Sequence, residues 1–268
     1  MKKIQCSVAI FCILTTVIHA QIVIVDSGAG TDQVNRGSTY IQDFDSLASP
    51  VDQYPWVSNS TLSGWYSNAS VIRNYTGEVL QNRGPAGGLG DRALGAQGAP
   101  GSNRYFGVRF INASTSELVG VSVTFDGEQW SRLPNRPQIQ TTLDFSYKVF
   151  EAGQGNIAST SGWVNIDALD FVSPNATLTS FAYIDGNASE NSLRDIQSYI
   201  SGITVAPGQE LWLRWASIGV GGTVVNHDLA IDNLRVSFTT IPEPATGATL
   251  AGATAFLVLG FRRRNRRS

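Results

Sequence analysis

Residues Val119–Phe125 read VGVSVTF. Val119, Val121, Val123 and Phe125 fall on one side, and Gly120, Ser122 and Thr124 on the other. Successive side chains of a strand point to opposite faces, so this alternation marks a strand with one face on a core. Leu143, Phe145, Tyr147 and Val149 repeat it against Thr142, Asp144, Ser146 and Lys148, and Tyr105–Ile111 reads as another strand. Leu211, Leu213 and Trp215 form an inward set with Trp212 and Arg214 opposite, which places Trp212 at solvent or at a sheet rim.

The closing segment Leu229–Phe238 changes phase partway. Leu229 and Ile231 agree, but Leu234, Val236 and Phe238 have slipped by one. A β-bulge at Asp232-Asn233 absorbs such a slip. Turns such as Ala206-Pro207-Gly208 separate the runs. The sequence therefore predicts an all-β domain over residues 21–240: an antiparallel β-sandwich or jelly roll made of two packed sheets. Arg83–Gly101 (RGPAGGLGDRALGAQGAPG) has seven glycines and two prolines and reads as a long surface loop. It is not a phosphate loop, because no Gly-Lys-Ser/Thr ending follows. A short helix is expected near Ser192–Tyr199.

The ends differ from this middle. Residues 1–20 carry Lys2 and Lys3, then an apolar run from Val8 to Ile18, then Ala20, as in a secretory signal peptide. Both cysteines, Cys6 and Cys12, lie within it, so the rest of the chain is expected to hold together without disulfides. Residues 21–240 carry 12 Arg and Lys against 20 Asp and Glu, a net charge of −8, with a single lysine, Lys148. Such a domain lacks the basic surface that nucleic acid requires.

The last 28 residues read IPEPATGATLAGATAFLVLGFRRRNRRS. Residues 245–261 are small or apolar, about the length that crosses a bilayer core as one transmembrane helix. Residues 262–268 hold Arg262, Arg263, Arg264, Arg266 and Arg267, which favour the cytoplasmic side. Pro242, Glu243 and Pro244 precede the span. In this order the parts resemble the PEP-CTERM sorting tail of exosortase-bearing Gram-negative bacteria. The resemblance implies transient anchoring in the membrane, processing by an exosortase near Pro242-Glu243-Pro244, and delivery to the cell surface or extracellular matrix. The order YFGVRFIN, VSVTFDGEQW, LDFSYKV, PGQELWLRW, HDLAIDNLRV also resembles secreted bacterial β-sandwiches. Its close is similar to the last strand of jelly-roll carbohydrate-binding modules.

Several residues are candidates for a site. Asp126, Glu128 and Trp130 lie at i, i+2 and i+4 around Gly127. Two carboxylates beside an indole suit a calcium ion, which takes six to eight oxygens, or a sugar face. They also suit a charged turn with a Trp plugging the end of the core. Asp228 and Asp232 flank the last strand beside His227, the one histidine of residues 21–240; structural calcium or local backbone capping are the two readings. Trp56, Trp65, Tyr66, Trp163 and Trp212 offer indoles and a phenol for a glycan platform, or sheet-edge packing. No G-x-S-x-G elbow and no thiol is present in the middle region. The sequence thus reads as an exported, non-enzymatic surface or matrix protein that binds extracellular polysaccharide, with calcium a candidate structural ion. The alternatives are a purely structural or adhesive matrix component, or a hydrolase of extracellular polymer using Asp126 and Glu128.

Overall fold

The computed structural model describes residues 21–30, 32–48, 53–73, 80–84, 90–132, 140–176, 181–219 and 226–241. The signal-peptide segment and the sorting tail, with Pro242, Glu243, Pro244 and the arginine cluster, lie outside the described residues. Among those residues no helix is long and apolar enough to cross a membrane.

The strands, in chain order, begin with β1 (Ile22–Val25), β2 (Gln33–Asn35), β3 (Thr39–Gln42), β4 (Gln53–Pro55), β5 (Trp65–Ser67) and β6 (Val71–Arg73). Next come β7 (Leu80–Arg83), β8 (Ala93–Ala96), β9 (Arg104–Asn112), β10 (Leu118–Gln129), β11 (Ser131–Arg132) and β12 (Thr142–Phe150). The rest are β13 (Val164–Asn165), β14 (Phe171–Val172), β15 (Ala182–Tyr183), β16 (Ser192–Val205), β17 (Glu210–Ser217) and β18 (Leu229–Thr240). One sheet runs β13-β12-β17-β9-β1-β2, with β14 on β12 and β5 on β9. The second runs β16-β10-β18-β8-β7-β6-β4, with β3 on β18, and a small third pairs β11 with β15. Most pairs are antiparallel, as the alternation predicts. The β1–β2, β1–β9 and β6–β7 pairs are parallel, so the sheets are mixed at one edge.

The two large sheets close on one core, as a β-sandwich. Trp215 is its centre. Phe125 and Phe145 meet it edge-on, with ring centroids 5.5 and 5.2 Å away, while Trp65 and Phe106 stack at 6.0 and 5.9 Å. Offset and edge-to-face rings pack better than face-to-face ones. Val121, Val123 and Phe125 are fully buried as expected, as are Leu211, Leu213 and Trp215. Val119 is not: a register shift between Leu118 and Gly120 puts Leu118 in the core instead.

The bulge in the last strand is present. Thr124 pairs with Arg235 and Asp126 with Asp232, so Asn233 and Leu234 together oppose Phe125. Asn233 takes φ +50°, a left-handed conformation that asparagine tolerates better than most residues. Leu234, Val236 and Phe238 then face the core alongside Leu229 and Ile231.

Two expectations fail. Ser192–Tyr199 is no helix but the first half of β16, an edge strand paired along β10. Its buried residues come at Ile196, Ile200, Ile203 and Val205, a spacing that bulges produce and that mimics helical periodicity. Arg83–Gly101 is not all surface loop, since Arg83 ends β7 and β8 within it is buried along its length. A Cβ on Gly95 would run into the Leu229 carbonyl, so this glycine permits close packing of β8 on β18.

Candidate functional site

Asp126, Glu128, Trp130, Asp228 and Asp232 do come together, where β10 and β18 pair at one end of the sandwich. Asp126 sits opposite one bulge, Arg194-Asp195 of β16, and beside another, Asn233-Leu234 of β18. Its Oδ1 accepts a hydrogen bond from the backbone N–H of Asp195 at 2.9 Å, and its Oδ2 one from Asn233 Nδ2 at 3.0 Å. Asp195 and Asn233 both have positive φ, of +53° and +50°. One carboxylate therefore holds the irregular turns of both flanking strands.

Arg194 fills the space the sequence left for a ligand. Its Nη1 reaches Asp126 Oδ2 at 3.1 Å and Glu128 Oε1 at 3.0 Å, and its Nη2 donates to Asn187. Glu128 Oε2 accepts from Trp130 Nε1 at 3.1 Å. Glu128 and Trp130 are 1% and 6% exposed, so neither offers a face to a sugar. Burial pushes the Glu128 carboxyl up to about 7; Arg194 opposes the rise and Asp91 adds to it.

Asp232 is 2% exposed, and its Oδ1 has no hydrogen-bond partner. Burial raises its carboxyl to about 8; a bond from the Asn233 backbone opposes this, and Glu128, Asp91 and Asp45 reinforce it. Asp228 lies in a buried ion pair with Arg83. His227 is buried beside it. Among the described residues no group of three or more His, Cys, Asp or Glu side chains is arranged to hold a metal ion. The charge standing between Asp126 and Glu128 is the guanidinium of Arg194, not a vacant oxygen cage.

Trp212 lies elsewhere and is not exposed. It is 1% accessible on the outer face of the first sheet, against Tyr66 at 4.5 Å and Phe150 at 5.9 Å. Its Nε1 donates to Glu210 Oε2 at 2.8 Å. Glu210 Oε1 takes the N–H of Gly153 at 3.0 Å, so the segment after β12 folds over the sheet. Arg214 adds to this cover, 3.8 Å over the Trp163 ring and bonded to the carbonyls of Ile157 and Ser159. The out-of-phase position reads correctly as the outer face. What sequence periodicity lacks is that residues 151–163 cover that face. Trp56 and Trp65 are also buried, and Tyr66 and Trp163 are only partly open.

The open aromatic surface is one that sequence reasoning missed. Phe181 and Tyr183 are 43% and 58% exposed and pack edge to face, centroids 4.8 Å apart. Among the described ring pairs, only this one has both members exposed. β15 pairs with β11, and the Ile184 N–H bonds the Trp130 carbonyl, so the pair is tied to the carboxylate-rich end. The signal in the sequence is F-A-Y, two aromatics at period two beside Ala182, short enough to pass as loop.

No family model matches the chain, and no curated protein matches it. Solved structures resemble it, among them the following three. The enzymatically active domain of bacteriophage CBA120 tailspike protein 4 matches 66% of this chain at 14% identity and TM-score 0.33; the match spans 20% of that chain. TmCBM61, solved with β-1,4-galactotriose, matches 66% of this chain and 90% of its own at 11% identity and TM-score 0.30. The K3 cleaved adhesin domain of Lys-gingipain from Porphyromonas gingivalis W83 matches 74% of this chain and 97% of its own, at 14% identity and TM-score 0.35. At these scores the likenesses assign neither ligand nor activity to this chain.

Proposed function

We propose that this protein is an exported, non-catalytic polysaccharide-binding module of jelly-roll type. The exposed Phe181–Tyr183 pair carries the reading. An exposed aromatic pair is a surface on which the C–H face of a sugar stacks. The carboxylate of Asp185, exposed in the same loop, suits sugar hydroxyls, while the Asn187 amide is taken up by Arg194 and Asp91. The carboxylates that a hydrolase would use are committed instead to Arg194 and to two strand bulges. In this reading the PEP-CTERM-like tail delivers the module. An exosortase processes it near Pro242-Glu243-Pro244, after transient anchoring through residues 245–261, and the mature protein stays at the cell surface or in the matrix.

The test is Tyr183→Ala in residues 21–240, the segment that contains every core residue from Ile22 to Phe238. Tyr183 is exposed, so thermal stability should stay within about 0.5 kcal/mol of the parent. Affinity for the producing cell's extracellular polysaccharide should fall about tenfold or more. Unchanged affinity would remove the aromatic pair from the reading.

A further inference from the structure

A cleft of about 330 Å³ opens at the flank where β2 of the first sheet and β3 of the second come together. That is at the small end of ligand sites, which run from about 300 to 1,000 Å³. Ile22 and Leu62 contribute apolar lining; Asp32, Gln33, Tyr40 and Gln42 contribute the polar groups considered next.

These polar groups are pre-set. Gln33 Oε1 accepts from the Gly30 N–H at 3.1 Å, which leaves its amide N–H groups to donate. Gln42 Oε1 accepts from the Phe44 N–H at 2.7 Å. The Tyr40 oxygen accepts from Trp65 Nε1 at 3.0 Å. Burial raises the Tyr40 hydroxyl above its ordinary range; bonds from Trp65 and Gln42 oppose the rise, and the Asp32 charge adds to it. The hydroxyl keeps its proton, and with its oxygen accepting from Trp65 it can still donate. Asp32 Oδ1 accepts from Ser63 Oγ at 2.9 Å, and its second oxygen has no hydrogen bond to a described residue.

The cleft thus offers a carboxylate acceptor beside phenol and amide donors. A pair of neighbouring hydroxyls satisfies such a set, each hydroxyl both giving and receiving a bond. Among the described residues no Lys or Arg lines the cleft, and residues 21–240 are net negative. An anionic ligand would meet Asp32 with no cation to offset it. We infer that this cleft is a binding subsite for an uncharged, hydroxyl-rich sugar residue. The inference rests on the proposed glycan reading and adds a second location and a charge class to it.

The experiment titrates isotope-labelled residues 21–240 with neutral hexasaccharides of glucose, galactose, mannose and xylose, and with hexagalacturonate, following backbone amide shifts. At least one neutral hexamer is expected to shift amides of residues 32–34 and 39–42, and hexagalacturonate to leave them unmoved. Asp32→Asn, which keeps shape, should weaken that neutral binding about tenfold. Tyr40→Phe, which keeps the ring packed on Phe110, should do the same. Shifts confined to the Phe181–Tyr183 region would overturn the cleft while the glycan reading stands. Binding of hexagalacturonate in the cleft would overturn the charge class. Silence toward all five sugars would overturn the cleft, and with the Tyr183→Ala result it would show whether the broader reading falls too.

Discussion

Replacing Asp232 by Asn should make the protein more stable at pH 8. The Asp232 carboxyl is held at about 8, whereas an unperturbed Asp titrates near 3.8. At ~1.4 kcal/mol per tenfold, that gap corresponds to a folded-state preference for the proton of the order of 5 kcal/mol. The folded pKa is raised, so the stability this group contributes is complete below about pH 4. It is lost as pH climbs toward about 8. Asn is neutral at every pH in that window and has the same shape. Its carbonyl can take the Asn233 Nδ2 bond that Asp232 Oδ2 accepts at 3.0 Å. Its amide N–H groups would replace the unbonded Oδ1. After allowing about 2–3 kcal/mol at every pH for burying an imperfectly bonded amide, Asp232→Asn should gain about 2 kcal/mol at pH 8 and lose about 2 kcal/mol at pH 4. Urea unfolding midpoints at pH 4, 6 and 8, with chelator throughout, measure this directly. The parent should lose stability across that range more steeply than the variant. A variant less stable than the parent at pH 8, or one with the same pH profile, would refute the reasoning and point to Asp232 as a required anion.

Three other outcomes follow from the same contacts. Trp212→Ala should cost about 3–5 kcal/mol, because it empties a buried site and removes the Glu210 donor; scanning calorimetry should show the melting temperature down by about 10 °C. Asp126→Ala releases the Asp195 N–H, Asn233 and Arg194 together and should cost about 3 kcal/mol in urea unfolding, with residues 193–196 and 232–235 losing amide-exchange protection first. Glu243→Ala in the exporting host should leave the tail uncut, so intact mass of the membrane-associated protein should include residues 245–268.

Strand identity was legible in the sequence where one face is buried and the other wet, as at Val121–Phe125 and Leu143–Val149. The slip at Asp232-Asn233 was legible for the same reason, since a bulge moves every later side chain to the other face. What failed were faces covered by chain distant in sequence. Trp212 alternates outward as read, but residues 151–163 seal that surface through Glu210 and Arg214. The candidate carboxylates read as two separate groups, and only the pairing of β10 with β18 joins them. Their partners were not legible, because Arg194 lies 66 residues from Glu128, and Asp91 and Arg83 sit in or beside glycine-rich sequence that reads as loop. The cleft leaves no local pattern at all. Asp32 and Ser63 are drawn together by the pairing of β1 with β2 and β9, and Tyr40 reaches them from β3 of the second sheet.

The most direct test of the account is co-sedimentation of residues 21–240 with polysaccharide harvested from the producing culture, with polymer length and reducing ends followed over the same hours. The account expects saturable binding, lost in Tyr183→Ala, with polymer length and reducing ends unchanged. Absence of binding, or a rise in reducing ends that Glu128→Gln abolishes, would contradict it.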